Sequence, residues 1–251
     1  MSTRAVAAFY HRVLKILEHD GIPFMVGGAF ALRSYTGLRR DTKDLDVFLL
    51  EKDLDRALRA AAEAGLSNRV KARHWLAKIE FGEAFVDLIY NSGNGVCPVD
   101  GEWFRHAPKD RLFGVDSLLT PPEEMIWSKS FIMERGRYDG ADIAHLLRSR
   151  GRRMDWSRLI GRFGSDWPVL LSHLILFRFI YPGERDAVPE SIYHELLERM
   201  PGHARDEKLC RGTLLSFAEY LPDLKRWGYH DARLRSMSQR DIDRWTREPK
   251  D

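Results

Sequence analysis

A strand, turn, helix and strand segment constrains the fold of this 251-residue chain more than any other part of it. Residues 23–26 predict a short buried strand, the pair Gly27-Gly28 ends it, residues 29–35 predict a helix, and residues 45–50 predict a second strand. A turn without side chains can approach a bulky anion, and the next helix offers N–H groups to it. The segment therefore predicts an α/β layer with an anion-binding turn, although a plain tight turn also uses glycine.

Three aspartates accompany the two strands that follow this turn. Asp44 and Asp46 lie two residues apart, so their side chains point to the same side of one strand, and Asp87 lies inside the otherwise apolar run 85–90. Like charges on one face repel unless solvent or a cation neutralises them. If the strands are neighbours, the three carboxylates converge and can hold Mg²⁺ or Mn²⁺. The alternatives to a metal site are that Asp44 and Asp46 are an ordinary D-x-D pair at a strand end and that Asp87 lies at a sheet edge or bulge.

Two predicted helices carry charged residues on their apolar faces. Lys129 interrupts the apolar face of the helix predicted at 123–134, and Asp139 leads that of the helix predicted at 138–148. The lysine extends either to solvent or to an anion such as a triphosphate. An aspartate at a helix N-terminus also complements the helix dipole, which would explain Asp139 without a ligand.

The rest of the chain divides into a mixed part and a helical part. Up to about residue 118 we predict helices at 6–17 and 53–64, strands at 77–81 and 84–90, a loop at 91–108 and a strand at 111–115. Beyond that point we predict helices at 123–134, 138–148, 156–163, 168–179, 190–199 and 213–220. The expected fold is α+β, with a mixed β-sheet flanked by helices in domain 1–118 and a helical domain 119–251.

The composition bears on three questions, namely disulfide or metal sites at cysteine, membrane spans and nucleic-acid binding. The two cysteines, Cys97 and Cys210, have neither metal-site spacing nor a disulfide framework, so we expect a reducing cytoplasm. No apolar run reaches membrane-spanning length, and we expect no membrane partner. A net charge of +3 is too weakly basic to predict nucleic-acid binding by itself.

Three segments resemble a known family. VGGAFALRSYTGLRRDTKDLDVFL and FVDLIY resemble the signature of the DNA-polymerase-β-like nucleotidyltransferase superfamily. WSKSFIMERGRYDGADIAHLL is similar to a downstream segment of the bacterial branch that includes the abortive-infection type IV toxin nucleotidyltransferases. The resemblance covers about residues 20–150 and implies the nucleotidyltransferase fold, while the last hundred residues match nothing with a known role.

The resemblance also implies roles for the acidic residues. Asp44 and Asp46 would bind Mg²⁺ or Mn²⁺, and Asp87 would complete the metal site and act as general base on the acceptor hydroxyl. All three are thus expected to be catalytic.

The resemblance implies a nucleotide-binding set as well. Gly27 and Gly28 would hold the phosphates, Lys129 would contact the triphosphate, and Asp139 would bind or orient substrate. Lys43 lies in the basic run between the glycines and the carboxylates, where it would contact phosphate or remain in solvent.

The expected activity is transfer of an NMP from an NTP to a hydroxyl, with release of pyrophosphate. The acceptor stays open between a tRNA end, a small molecule and a protein side chain, and a toxin-like enzyme would have an antitoxin partner. The helical half carries arginines that could contact the phosphates of an RNA backbone. They are Arg148, Arg150, Arg152, Arg153, Arg158 and Arg162. The alternatives are a non-catalytic nucleotide-binding or regulatory module, and a nuclease or phosphatase that uses the same carboxylates.

Overall fold

The structure, a computed structural model, describes residues 3–40, 42, 44–200 and 208–247 of the chain. Within these residues the largest feature is a mixed sheet of seven strands with helices around it, and further helices follow along the chain. The predicted α+β class is therefore confirmed. A helix with the length and apolarity to cross a bilayer is absent from this part of the chain.

The chain divides into two compact units. The first comprises Met1–Pro121 together with Met237–Asp251, and the second comprises Pro122–Ser236. All seven strands of the large sheet belong to the first unit. The predicted domain boundary at residue 118 stays a prediction.

The elements of both units are as follows. The strands are β1 (Met25–Val26), β2 (Asp44–Phe48), β3 (Ser67–Ala72), β4 (Leu76–Phe81), β5 (Ala84–Ile89), β6 (Lys109–Leu112), β7 (Val115–Leu119), β8 (Met133–Glu134), β9 (Arg137–Tyr138), β10 (Leu209–Cys210) and β11 (His230–Asp231). The α-helices are α1 (Thr3–His19), α2 (Gly28–Thr36), α3 (Leu54–Glu63), α4 (Gly101–His106), α5 (Pro122–Ser130), α6 (Gly140–Arg150), α7 (Trp156–Phe163), α8 (Trp167–Ile180), α9 (Glu190–Glu198), α10 (Phe217–Arg226) and α11 (Gln239–Arg247).

The large sheet has the strand order β3-β4-β5-β2-β1-β7-β6. β2 is parallel to β5 on one side and antiparallel to β1 on the other. Alternate residues of β2 and β5 are buried, and they are Leu45, Val47, Ala84, Val86 and Leu88. Because side chains alternate across a strand, the remaining residues of β2 and β5 share the opposite, half-buried face.

Helix α1 covers part of the core of the first unit. It was predicted from the apolar spacing of residues 6–17, and it contacts β5 and β7. Its buried residues are Phe9, Tyr10, Val13, Leu14 and Leu17. The predicted hairpin around Gly82-Glu83 is also present as the antiparallel pair β4–β5.

Two predictions before residue 120 are wrong. The loop predicted at 91–108 contains helix α4, because the Asp100 side chain accepts the N–H groups of Glu102 and Trp103 at 2.9 and 3.3 Å and caps the helix. The single strand predicted at 111–115 is the turn of the β6–β7 hairpin, since Phe113 adopts a left-handed φ of 51° that a strand does not allow.

Other differences are smaller. Strand β3 was not predicted, and the helix predicted at 123–134 ends at Ser130, where the chain enters the β8–β9 hairpin. Helix α7 has the predicted bounds of 156–163.

His173 of α8 is buried in the core of the second unit. The residue is 3% exposed, and its Nε2 lies 3.1 Å from the carbonyl oxygen of Ser130. Burial lowers the pKa of His173 below its usual value of 6.5. The folded chain therefore holds this imidazole neutral, with Nε2–H donating to Ser130.

We expect stability to depend on pH through His173. Its folded pKa is lowered, so the unfolded chain takes up the proton first, and the free energy of unfolding falls as pH drops from about 7 to about 5. Urea unfolding at several pH values should show a smaller slope for His173→Gln, which keeps a donor for Ser130. An equal slope in both proteins would contradict this assignment.

Candidate active site

Three carboxylates meet on the half-buried face of the large sheet. Asp44 and Asp46 come from β2 and Asp87 from β5, and one oxygen of each lies within 4.8 Å of the others. The parallel register pairs Asp46 directly with Asp87, so their side chains point to the same face. The structure thus contains the expected convergence, and the catalytic roles of these residues stay a prediction.

The cluster creates a negative potential in its surroundings. Burial raises the pKa of Asp87, and Asp44 adds to this rise while the neighbouring Lys78 opposes it. The buried phenol of Tyr10 responds in the same way, because burial and then the nearby charges of Asp44 and Asp46 raise its pKa to about 12. A cation placed among the three carboxylates would relieve this repulsion.

The donor set fits Mg²⁺ or Mn²⁺. Three carboxylate oxygens are hard ligands, and three protein ligands leave further coordination positions of such an ion for water or substrate oxygens. The hydroxyl of Thr42 donates to the carboxylate of Asp44 and fixes its orientation. The geometry therefore suits an ion whose ligands come partly from the protein and partly from the substrate.

The glycine turn packs directly against this carboxylate strand. The Gly27 N–H donates to the carbonyl oxygen of Asp46 at 2.9 Å, and Gly28, with a φ of +52°, begins helix α2. A Cβ at Gly28 would lie 1.7 Å from Asp46 Oδ2, and one at Gly27 would lie 2.3 Å from the ring of Phe48. Both glycines thus allow a close approach to β2, a reason that the sequence argument about phosphate did not include.

Lys78 is a site residue that the sequence argument missed. It lies on β4 directly opposite Asp87, and its Nζ is 3.0 Å from Asp87 Oδ1. The predicted hairpin carried the signal, because a two-residue turn at Gly82-Glu83 pairs residues symmetrically about it and so places 78 beside 87.

The other residues predicted to contact the nucleotide are Lys43, Lys129 and Asp139. Lys43 lies outside the described residues. Lys129 belongs to the second unit, where its Nζ lies 2.7 Å from Asp139 Oδ2 and 2.9 Å from Asp142 Oδ2. Burial opposes the charge of Lys129, but the two carboxylates outweigh this effect and raise its pKa. The predicted contacts of Lys129 and Asp139 with nucleotide stay predictions.

Asp139 also contacts a second cation. Arg137 Nε lies 3.2 Å from Asp139 Oδ1, and together with Lys129 it overcomes the effect of burial and lowers the pKa of Asp139. The cluster is therefore an ion-pair network within the second unit, and it ties α5 to the start of α6.

No protein-family model matches the chain, and no curated protein matches it either. Several solved structures are similar. They include the antibiotic-resistance factor ANT(2'')-Ia, with 15% identity over 81% of this chain and 100% of that chain and a TM-score of 0.43. The lincosamide antibiotic adenylyltransferase LnuA has 13% identity over 58% and 96% of the two chains, with a TM-score of 0.41. A nucleotidyltransferase-like protein from Paracoccidioides brasiliensis has 13% identity over 77% and 99%, with a TM-score of 0.46. Because these scores are low, a function for this chain is inferred from its own site.

We expect Gly28→Ala to disrupt the carboxylate cluster. The added Cβ would meet Asp46 Oδ2, so Mn²⁺ binding followed by electron paramagnetic resonance should weaken more than about tenfold. The matched control is Gly21→Ala, which has a similar φ of +60° but no atom within 4 Å of the new Cβ. Equal Mn²⁺ affinities in the two variants would refute the close-packing argument.

We expect Lys129→Met to destabilise the fold. Removing this cation leaves Asp139 and Asp142 buried together, which should lower the free energy of unfolding by about 3 kcal/mol. Urea unfolding measures the change, and Lys225→Met, at an exposed position of α10, is the control. A stability equal to that of the control would leave Lys129 without a structural role.

Proposed function

We propose that this protein is a metal-dependent nucleotidyltransferase. The observation that carries the proposal is the meeting of Asp44, Asp46 and Asp87 within 4.8 Å, on two adjacent strands beside the glycine turn that opens α2. A cluster of hard oxygen ligands next to a bare helix N-terminus can hold divalent ions and phosphates side by side.

Asp44, Asp46 and Asp87 would hold Mg²⁺ or Mn²⁺. When bound, such ions neutralise charge on the phosphoryl oxygens of an NTP. Thr42 supports this arrangement through its hydrogen bond to Asp44.

The reaction itself is a displacement at phosphorus. The acceptor oxygen forms a bond to the α-phosphorus, the bond from that phosphorus to the bridging oxygen breaks, and pyrophosphate leaves with the bonding electrons. Asp87 receives the proton of the acceptor hydroxyl, and burial, which raises the pKa of Asp87, favours uptake of that proton. The Gly27-Gly28 turn and the first N–H groups of α2 bind the phosphates of the NTP.

The structure reduces the support for an RNA acceptor. Arg158 and Arg162 both contact the buried carboxylate of Glu124, and each side chain is only 14% exposed. Arg148 and Arg152 pair with Glu184 on the surface, where exposed pairs are weak and can exchange for another anion. We therefore place a small-molecule hydroxyl ahead of tRNA, a protein side chain remains the third option, and pairing with an antitoxin stays a prediction.

A non-catalytic module is the alternative of a different class. Its distinguishing property would be Mg²⁺-dependent NTP binding without release of pyrophosphate. A nuclease or phosphatase would release labelled nucleotide or phosphate and would leave the acceptor unlabelled.

We expect the purified protein to transfer label from α-labelled NTPs to a component of a small-molecule or RNA extract in the presence of Mg²⁺ or Mn²⁺. Asp46→Asn and Asp87→Asn should each lower the rate more than about hundredfold, because each removes a charged ligand from the cluster. Asp116→Asn, at a side chain that is 79% exposed, is the matched control.

Two results would contradict the proposal. One is label transfer that continues unchanged in Asp46→Asn and Asp87→Asn. The other is pyrophosphate release from none of the four NTPs, whatever fraction of the acceptor extract is supplied.

A further inference from the structure

Lys78 continues the row of charged residues across the sheet. The register places Lys78 of β4 opposite Asp87 of β5, and Asp87 opposite Asp46 of β2. Residues paired in this way lie on one face of the sheet, so a cation, a carboxylate and a second carboxylate follow one another across three strands.

The ammonium group of Lys78 is held between two partners. Its Nζ lies 3.0 Å from Asp87 Oδ1 and 3.7 Å from the centroid of the Phe85 ring. The Lys78 and Asp87 side chains are only 16% and 14% exposed, so water competes little for this contact. The one acid on β4, Glu80, pairs with Arg69 at 3.0 Å, whereas Lys78 pairs with Asp87 of β5.

This contact makes the two oxygens of Asp87 unequal, because Lys78 pairs with Oδ1. A free aspartate can bind a divalent ion through one oxygen or through both. With one oxygen held by Lys78, Asp87 has one oxygen left for the cluster. The lysine also places a positive charge beside any ion bound there, and this charge opposes ion binding.

We propose that Lys78 is a positioning residue that holds one oxygen of Asp87 and weakens divalent-ion binding at the cluster, so that Asp87 does not bind the ion through both of its oxygens and stays available to the acceptor hydroxyl. The inference rests on the proposed function for the role of Asp87 as base. Its consequence for ion binding follows from the contact alone.

Lys78→Met tests this role because methionine has a similar length and lacks the charge. Mn²⁺ binding, measured by electron paramagnetic resonance of the free ion, should tighten about tenfold in this variant. Nucleotidyl transfer at saturating Mn²⁺ should slow at least about tenfold, since Asp87 is no longer held. Opposite changes in ion affinity and rate separate this role from a structural one, in which both would fall.

Lys78→Arg and Lys52→Met are the companion variants. Arginine retains the charge, so its Mn²⁺ affinity should stay within about threefold of the wild-type value and its rate should exceed that of Lys78→Met. Lys52 is exposed and lies outside the cluster strands, in the short turn Glu51–Asp53 that follows β2, and its variant should match the wild type in both measurements. If urea unfolding shows that Lys78→Met is not folded, Lys78→Gln replaces it, and the same result is expected.

The outcomes decide between the two claims. Mn²⁺ binding that is unchanged or weaker in the uncharged Lys78 variants overturns the inference. If the wild type transfers no nucleotide at all, the proposed function fails, while tighter Mn²⁺ binding in Lys78→Met still supports the effect of Lys78 on the cluster.

Discussion

The parallel pairing of β2 with β5 is the constraint on which the rest of the site depends. It sets Asp46 directly beside Asp87, and the two-residue period of β2 adds Asp44 on the same face. A slip of one residue would turn Asp46 into the core and Leu45 out of it, so burial of Leu45 and Val47 enforces the register. Hydrophobic packing on one face thus holds together like charges on the other.

Each unit places a lysine beside carboxylates that are largely removed from water. In the second unit Lys129 lies between Asp139 and Asp142, and these charges stabilise one another away from water. In the first unit Lys78 offsets one of the carboxylates, while the half-buried face of β2 stays accessible to a cation from solution. The difference is one of exposure and charge balance, and it separates a network that joins helices from a cluster that can take a ligand.

The sequence predicted the features that depend on local patterns. The three aspartates, the glycine turn and the β4–β5 hairpin follow from strand alternation and turn residues within a few positions. Features set by distant partners were missed. Strand β3 has polar residues on both faces and owes its place to pairing with β4, and the ion pairs of Lys129 join separate elements. Helix α4 was missed for another reason, since its cap at Asp100 is local but its six residues contain only one buried side chain, Trp103.

Gly28 has a consequence for reading related sequences. Its missing side chain leaves the space that the carboxylate of Asp46 fills, so the two positions form one steric unit. A descendant that gains even a methyl group at 28 can keep every aspartate and still lose their arrangement. Inspection of the acidic residues alone would then suggest that the carboxylate cluster of such a sequence is intact, whereas the identity of residue 28 would show that it is not.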